Sequence, residues 1–219
     1  QWNHKLHETL LHLGFTQCFS DPCLYSCRSL VYVAVYVDDI LIVGDSSAVG
    51  GTKRSLSSVF TMTDGGQVSW LLGMAITRGP GGFRLSQEHA IINLLQQHNG
   101  SALHPVTTPF DMACSTVIPE EQSSEQQLPE QNTAHYRSLI GSMQFLVHCT
   151  RPDIAAAVGK LARSCSNPSE SDWQAARRVL QYLRSTAARQ LVIGGAGPIT
   201  GYVDSDFAGD ASRRSTYGF

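Results

Sequence analysis

Apolar residues recur every three to four positions at the start of the chain. Trp2, Leu6, Leu10 and Leu13 follow this period, and Gly14 comes next. One face of an α-helix repeats every 3.6 residues, and glycine commonly follows the last turn. The pattern therefore predicts an amphipathic helix that ends near Gly14.

Two adjacent acids interrupt the β-branched, apolar segment that follows. Residues 23–27, 30–37 and 40–43 are predicted strands, and Asp38 with Asp39 separates the last two. Successive strand residues point to opposite faces, and an unpaired buried carboxylate is costly, so we expect the pair at a tight turn. There the carboxylates can converge on a hard divalent cation such as Mg²⁺.

The dipeptide by itself has a simpler interpretation. Aspartate is common in turns that bind nothing, and a polar hairpin tip accounts for Asp38 and Asp39 equally well. Two carboxylates alone also hold a cation weakly, so a metal site at this tip requires a third acid.

A second helix and a hairpin follow. Val49, Lys53, Leu56 and Phe60 line one side of the predicted helix, which Gly50 and Gly51 weaken. The predicted hairpin joins Trp70–Thr77 to Phe83–Leu85 through the turn Gly79-Pro80-Gly81-Gly82. Ser86 is the expected cap of a further helix with Ile91, Leu94 and Leu95 on its apolar side.

The second half of the chain begins with a stretch that has no period. Residues 100–134 are rich in Pro, Ser, Gln and Glu, which predicts a linker or loop. Helices are predicted over 135–148, 153–166 and 171–185, the last with Ser171 as its N-cap, and a strand over 199–204.

Composition indicates a globular chain with a local charge asymmetry. The 219 residues are 42% hydrophobic with a net charge of −2, and the longest apolar run, 30–37, is too short to span a bilayer. Residues 111–135 hold five acids and no Lys or Arg, whereas 151–189 hold seven basic residues and three acids. A polyanion would meet the second region, although a solvated helix face gives the same pattern.

The six cysteines are scattered along the chain. Their spacings match no common zinc pattern, which favours ordinary reduced thiols over a metal cluster.

The sequence contains seven further distinctive blocks: 14-GFTQCFSDPCLY-25, 36-YVDDILIVGD-45, 70-WLLGMAITR-78 with 85-LSQ-87, 136-YRSLIGSMQFL-146, 150-TRPDIAAAV-158, 173-WQAARRVLQYLRST-186 and 201-GYVDSDFAGDASRRSTYGF-219. Within the second block, Tyr36-Val37-Asp38-Asp39 resembles the YxDD box of reverse transcriptases. The seven blocks in this order resemble the Pol polyprotein of copia-type LTR retrotransposons. A single YxDD is weak evidence, whereas seven ordered blocks are specific.

The resemblance implies roles for the first half of the chain. Asp38 resembles the aspartate that binds the catalytic ions together with an acid on an earlier strand, and Asp39 its more peripheral neighbour. Tyr36 and Val37 resemble residues that touch the primer end and the template-primer backbone. The hairpin Trp70-Leu71-Leu72-Gly73 resembles the primer grip, which positions the 3′ hydroxyl for attack; a core β-hairpin is the simpler interpretation.

The resemblance also implies roles for the second half. The basic helices are expected to be thumb and connection elements. Trp173 is expected to be a core anchor, with a platform that stacks a base as the alternative. Tyr202-Val203-Asp204 resembles the opening strand of a retroelement RNase H, in which Asp204 would bind Mg²⁺, with Asp206 and Asp210 in the following turn. Candidates for contacts to backbone phosphates are Arg177, Arg178, Arg184 and Arg189.

We therefore expect an α+β fold with four regions: a partial reverse-transcriptase palm with the primer-grip hairpin and the start of the thumb (1–99), an acidic flexible linker (100–134), a helical thumb and connection (135–195), and the first strands of a truncated RNase H-like domain (196–219). The chain is expected to begin after the strand that bears the third polymerase acid, and to be inactive in isolation.

The resemblance names the expected ligands and place of action. The cofactor is Mg²⁺, with Mn²⁺ as a substitute. The partners are an RNA template, a DNA primer, an RNA/DNA hybrid and, in the full-length enzyme, a dNTP, with no membrane partner. The expected location is intracellular, in a cytoplasmic particle or the nucleus. The alternative is a domesticated or decayed module that binds nucleic acid or a protein without catalysis.

Overall fold

The computed structural model describes residues 2–110, 127–195, 200–201, 203–206 and 216–218. It contains two compact units, Gln1–Gln67 and Val68–Phe219. Each unit combines helices with an antiparallel sheet, which confirms the mixed α and β composition that the sequence predicts. The division falls between Gln67 and Val68, so the hairpin and the helix after it cluster with the later helices.

The first unit holds two helices and one sheet. The helices are α1 (Trp2–His12) and α2 (Ser46–Ser57), and the strands are β1 (Thr16–Gln17), β2 (Leu24–Ser26), β3 (Tyr32–Tyr36) and β4 (Asp39–Val43). The strands pair antiparallel in the order β1-β2-β3-β4. Strand β3 is shorter than the predicted 30–37, because the Leu30 amide donates to the Cys27 carbonyl in a turn.

The core of the first unit lies between the helices and one face of the sheet. Strict alternation along β3 buries Val33 and Val35 and exposes Tyr32 and Tyr36. The buried apolar face of α1 is narrower than predicted, since Trp2 and Leu13 stay partly exposed. The buried core residues are Leu6, Leu10, Phe15, Tyr25, Val31, Val33, Val35 and Leu56.

Helix α2 forms despite its two glycines. The Asp45 carboxylate caps it by accepting a hydrogen bond from the Ser47 amide at 2.9 Å. Hydrogen bonds from the Ser47 hydroxyl and the Ser47 amide hold the pKa of Asp45 below its ordinary value. Leu56 is fully buried, and Phe60 packs on the same core just past the helix end. Capping and one well-packed turn therefore compensate for the poor helix formers.

In its described part, the second unit has four helices and a second four-stranded sheet. Its elements are β5 (Trp70–Leu71), β6 (Met74–Gly79), β7 (Gly82–Ser86), α3 (Glu88–Gln97), α4 (Glu130–Cys149), α5 (Ala155–Arg163), α6 (Glu170–Ser185), β8 (Leu191–Ile193), β9 (Asp204–Asp206) and β10 (Thr216–Gly218), with short 3₁₀ turns at Gly100–Ala102 and Pro152–Ile154. The large sheet runs in the order β5-β6-β7-β8, and β9 pairs with β10.

The predicted single strand Trp70–Thr77 is wrong. A turn at Leu72 and Gly73 divides it, with Leu71 paired to Met74 across the turn. Both turn residues have positive φ. A leucine rarely adopts this conformation, so the apolar run 70–77 gives no sign of the turn.

Strand β8 was not predicted, because three apolar residues after a helix carry little pattern of their own. It adds to β7 with Phe83 opposite Ile193. The two backbones approach so closely that a Cβ on Gly82 would lie 2.2 Å from the Ile193 carbonyl oxygen. Gly82, with φ +123, is therefore required where β8 docks.

One apolar core joins helices α3, α4, α5 and α6. Each helix presents a stripe of buried residues, and the Tyr136 hydroxyl donates to the Leu161 carbonyl at 2.8 Å within this core. Trp173 is partly buried against it, in agreement with a core anchor. The buried members are Ile91, Leu94, Leu95, Leu128, Tyr136, Leu139, Ile140, Met143, Leu146, Ile154, Ala157, Val158, Leu161, Ala176, Val179, Leu180, Tyr182 and Leu183.

Two predicted helix starts need correction. The N-cap of α6 is Ser169 and not Ser171: Ser169 Oγ accepts from the Asp172 amide, and the Asp172 carboxylate accepts from the Ser169 amide. This reciprocal pair satisfies two amides at once, which a cap at Ser171 would not. Ser86 lies one residue before the N-cap Gln87, although its hydroxyl accepts from the Glu88 amide at 3.2 Å.

The other predicted helices shift at their ends. Predicted 153–166 is a 3₁₀ turn, Pro152–Ile154, followed by α5, which ends at Arg163.

Among the described helices, none combines the length and apolarity that crossing a bilayer requires.

The predicted linker 100–134 is ordered at its end. Helix α4 begins at Glu130, Leu128 is buried, and the Leu128 amide donates to the Pro168 carbonyl at 3.0 Å. Residues 127–134 are therefore docked structure and not linker. Residues 111–126 lie outside the described part.

The predicted strand 199–204 is also displaced. Residues 200–201 and 203 are not in a strand, and β9 begins at Asp204, which pairs with Gly218. Asp206, predicted in the following turn, is the last residue of β9. The predicted residues Tyr202 and Asp210 lie outside the described part.

Candidate metal centre and nucleic-acid interface

The paired aspartates lie at the tip of the β3–β4 hairpin. Val37 and Asp38 form a two-residue turn, and Tyr36 pairs with Asp39 across it. The predicted turn between the two strands is confirmed. Asp38 therefore belongs to the turn itself, whereas Asp39 is the first residue of β4.

The backbone of this turn is strained. Val37 has φ +52, an uncommon conformation for a β-branched residue. A positive φ at only the first central position is the pattern of a type II′ turn, which normally takes glycine there. Strain of this kind costs about 1–3 kcal/mol and is concentrated at binding sites. It favours a functional role for the tip over a plain polar turn.

The tip is open to solvent. Tyr36 is 60% exposed and Val37 is 71% exposed, and both carboxylates are exposed. Since Val35 and its partner Ile40 face the core, Tyr36 and Asp39 share the opposite, open face of the sheet. A hydrated cation and a long polymer can both reach this face.

The donors at the tip suit a hard divalent cation. Asp38 and Asp39 offer four carboxylate oxygens, the ligand type that Mg²⁺ prefers, and Mg²⁺ usually binds through one or two carboxylates together with water and substrate phosphates. Within residues 2–110, 127–195 and the short described segments beyond, no group of three or more His, Cys, Asp and Glu side chains could hold a metal. The tip fits Mg²⁺ as a partial, two-carboxylate set.

The Trp70–Gly73 segment forms a second strained hairpin. Leu72 has φ +49 and Gly73 has φ +79, so both central residues are left-handed, as a type I′ turn requires. Trp70 is 54% exposed at its start, and Leu71 to Gly73 are half-buried. The segment thus presents an aromatic side chain and a tightly bent backbone on the edge of the β5–β8 sheet.

Three of the four candidate arginines have contacts within the chain. Arg178 Nη2 donates to Thr108 Oγ1 at 3.0 Å, and Arg184 Nη1 donates to the Leu103 carbonyl. Arg189 Nη1 donates to the Tyr182 hydroxyl at 2.7 Å. Arg177, Arg184 and Arg189 are exposed, so their guanidinium groups are accessible to a phosphate. The phosphate contact itself stays a prediction. Asp204 lies in β9, and its metal role likewise remains a prediction.

Sequence reasoning missed a buried ion pair next to these arginines. Arg151 is 1% exposed, and its Nε and Nη2 donate to the two carboxylate oxygens of Asp153 at 2.9 and 2.8 Å. Arg151 also donates from Nη1 to the Thr186 carbonyl at 3.1 Å and from Nη2 to Thr186 Oγ1 at 2.7 Å. In the sequence, Arg151 and Asp153 stand out only as part of the block 150-TRPDIAAAV-158. A basic residue and an acid two positions apart, just before the apolar run 154–158, were the available signal.

The tyrosine on α6 completes this network. The Tyr182 hydroxyl donates to Asp153 Oδ2 at 2.8 Å and accepts from Arg189. Burial opposes ionisation of Asp153, but hydrogen bonds from Arg151 and Tyr182 outweigh it and hold the pKa of that carboxyl below its ordinary value. We call Arg151, Asp153, Tyr182, Thr186 and Arg189 the Arg151 cluster; it fixes the end of α6 against the start of α5.

Comparison with known proteins extends the resemblance. The profile of the family described as reverse transcriptase (RNA-dependent DNA polymerase) matches residues 1–112. The chain is 36% identical to the retrovirus-related Pol polyprotein from transposon TNT 1-94 of Nicotiana tabacum, and the match covers 100% of this chain and 17% of that protein. It is also 36% identical to the retrovirus-related Pol polyprotein from transposon RE1 of Arabidopsis thaliana, over 95% of this chain and 14% of that protein.

A shorter relative is matched over most of its own length. The chain is 33% identical to an uncharacterised mitochondrial protein of Arabidopsis thaliana, with 86% of this chain and 77% of that protein covered. No solved structure matches the chain. The YxDD hairpin and the primer-grip-like hairpin both lie within the profile match, and the polyprotein matches run through the helices. The chain thus belongs to the reverse transcriptase family, in the form found in the Pol polyproteins of copia-type retrotransposons.

Proposed function

We propose that this chain is part of an RNA-directed DNA polymerase that transfers a nucleotide from a dNTP to a primer 3′ hydroxyl, with an adjoining RNase H. The observation that carries the proposal is the strained, exposed turn at Val37, which presents Asp38 and Asp39 within a family match. In the reaction the 3′ oxygen loses its proton and bonds to the α-phosphorus, and pyrophosphate leaves.

The side chains at the tip have distinct tasks. Asp38 and Asp39 would hold Mg²⁺, or Mn²⁺ in its place, together with the triphosphate oxygens. When bound, the cations lower the pKa of the attacking hydroxyl and neutralise charge on the leaving phosphates. Tyr36 and Val37, which are exposed beside the acids, would contact the primer end and the template-primer backbone.

The remaining candidates bind the duplex. The Trp70–Gly73 hairpin would hold the primer terminus in line for attack. Arg177, Arg178, Arg184 and Arg189 would meet backbone phosphates of the RNA/DNA hybrid, a contact that weakens as salt rises. Asp204 would be a metal ligand of the adjoining RNase H.

Primer extension by a chimaera tests the proposal. Residues 1–219 replace the matching segment of the tobacco polyprotein reverse transcriptase, and extension on an RNA template is measured with Mg²⁺. Asp38→Asn is expected to lower the rate about 100- to 1,000-fold, since several kcal/mol of transition-state stabilisation is lost. The matched control is Asp64→Asn, which removes only a surface carboxylate paired with Lys53.

The outcomes separate the two candidate functions. Normal extension by Asp38→Asn would contradict the proposal. A chimaera that binds an RNA/DNA hybrid at low salt but extends no primer with either metal would favour the non-catalytic binding module. The 219 residues alone are expected to extend no primer, because their described acids supply a two-carboxylate set; clear activity would contradict the requirement for a third acid.

A further inference from the structure

An aromatic side chain of α4 lies against the primer-grip-like turn. A Cβ placed on Gly73 would lie 3.1 Å from Cζ of Phe145 and 3.6 Å from its Cε1. The ring therefore packs against Gly73 so closely that a Cβ there would displace it by a few tenths of an ångström. The two residues are far apart in sequence, so this contact joins the β5–β6 hairpin directly to the helical core.

The turn that Phe145 covers is one that needs support. Leu72 holds φ +49, a conformation in which an L-residue crowds its own Cβ against the backbone, at a cost of about 1–2 kcal/mol. Strained residues persist only where their surroundings determine the conformation. Strand β5 is two residues long, so its pairing with β6 supplies few hydrogen bonds to hold the turn. The Phe145 ring packs against the turn at Gly73 and so provides the additional support.

Core packing does not account for the position of this ring. The neighbouring α4 residues Met143 and Leu146 are fully buried, whereas Phe145 is 45% exposed. Phe145 also lines an open groove of about 530 Å³ between α3 and α4, together with Ala90 and Leu94. Helix α4 is thus anchored by its buried residues and carries Phe145 to the turn.

We propose that Phe145 is a positioning residue for the primer-grip turn: its ring, held by α4, fixes the backbone of Leu72 and Gly73 where the primer terminus is to be aligned. The inference rests on the proposed polymerase function. A displacement of about 1 Å at a positioning element can cost about 100-fold in rate. Removal of the ring should therefore affect primer alignment and leave dNTP binding intact.

The test measures steady-state primer extension by the chimaera carrying Phe145→Ala. The expected result is a kcat about 10- to 100-fold lower with an unchanged KM for dNTP. The matched control is Phe83→Ala in the same sheet: Phe83 is 40% exposed and its ring faces Arg78, not the turn. This control is expected to keep the parental rate.

A second measurement follows the turn itself. Hydrogen exchange at the Ile76 amide, which donates to the Ser69 carbonyl at 2.8 Å beside the turn, is expected to become about tenfold faster in Phe145→Ala, with the amides of the β3–β4 hairpin unchanged. Gly73→Ala should impair extension through both backbone strain and its clash with the ring. In the Phe145→Ala background, Gly73→Ala should lower the extension rate by a smaller factor, because the ring that its Cβ would crowd is absent.

The outcomes distinguish the inference from the function beneath it. If Asp38→Asn extends primers normally, the polymerase function itself fails. If Asp38→Asn is inactive but Phe145→Ala behaves like Phe83→Ala, the positioning role is overturned. Should Phe145→Ala unfold, Phe145→Leu decides, since leucine keeps an apolar side chain but lacks the ring atoms that reach Gly73; a parental kcat in that variant would overturn the role as well.

Discussion

The Arg151 guanidinium donates two hydrogen bonds, of 2.9 and 2.8 Å, to the Asp153 carboxylate on the other side of Pro152. The guanidinium is almost completely buried, whereas the Asp153 side chain keeps 31% of its surface exposed. The remaining donors of Arg151 reach Thr186, which lies just past the end of α6. One side chain thereby joins the α4–α5 connection to the C-terminus of α6.

Loss of the buried guanidinium should destabilise the second unit. Arg151→Met keeps the length of the side chain but removes four hydrogen bonds, and we expect it to lower the free energy of unfolding by about 3 kcal/mol, as for other buried pairs that lose one partner. Chemical denaturation followed by circular dichroism measures this loss. Arg177→Met, at an exposed site on α6, should change stability by less than about 0.5 kcal/mol; equal effects of the two variants would contradict the assignment.

Stability should depend on the ionisation of Asp153. Its pKa in the folded chain lies below the ordinary value of 3.8, so the carboxylate stabilises the fold fully above that pH and loses its contribution as the pH falls toward the lower, folded-state pKa. Asp153→Asn should cost about 2 kcal/mol at pH 7. Unfolding curves of parent and variant between pH 7 and acid check this: the difference should shrink below about pH 4, and a constant difference would speak against it.

The identity of the α6 cap can be tested with two neighbouring serines. Ser169→Ala removes the hydroxyl that accepts from the Asp172 amide, and we expect a loss of about 1 kcal/mol. Ser171→Ala leaves that bond in place and should cost less than about 0.5 kcal/mol. Thermal unfolding of both variants measures the difference. The reverse ranking would restore Ser171 as the cap.

Docking of β8 should depend on the absence of a side chain at position 82. Gly82→Ala would place a Cβ 2.2 Å from the Ile193 carbonyl oxygen at a backbone φ of +123, so we expect β8 to detach and its amides to exchange freely. Gly81→Ala, where a Cβ meets no atom within 4 Å, should leave exchange unchanged. Hydrogen exchange at Val192 and Ile193 reports the result. Protected amides in Gly82→Ala would show that the strand accommodates the side chain.

Local patterns were sufficient where the determining contacts are local. Alternation along β3 and the apolar run of β4 predict a turn at Asp38, because a strand cannot bury one acid and expose the next without cost. Helical spacing likewise identified Ile91, Leu94 and Leu95 as one buried face of α3. The family resemblance then supplied the chemical meaning of the acids, which the dipeptide alone does not carry.

Helix ends and short strands were less predictable. Both Ser169 and Ser171 are good N-cap residues, and only the reciprocal bonds with Asp172 select the first. Strand β8 has three residues, so its pattern is too short to distinguish a strand from a helix end. Its conformation depends on pairing with β7, a partner about a hundred residues earlier in the sequence.

The sequence by itself determined most helices and the longer strands, several of the faces they bury and the position of Asp38 and Asp39 at a hairpin tip, because period and turn chemistry act over a few residues. Only the tertiary structure decided the turn at Leu72 and Gly73 beneath Phe145, and the burial of Arg151 between α5 and α6. These features depend on side chains that are distant in sequence and meet only after the helices have packed; Arg151 and Thr186, for example, are 35 residues apart.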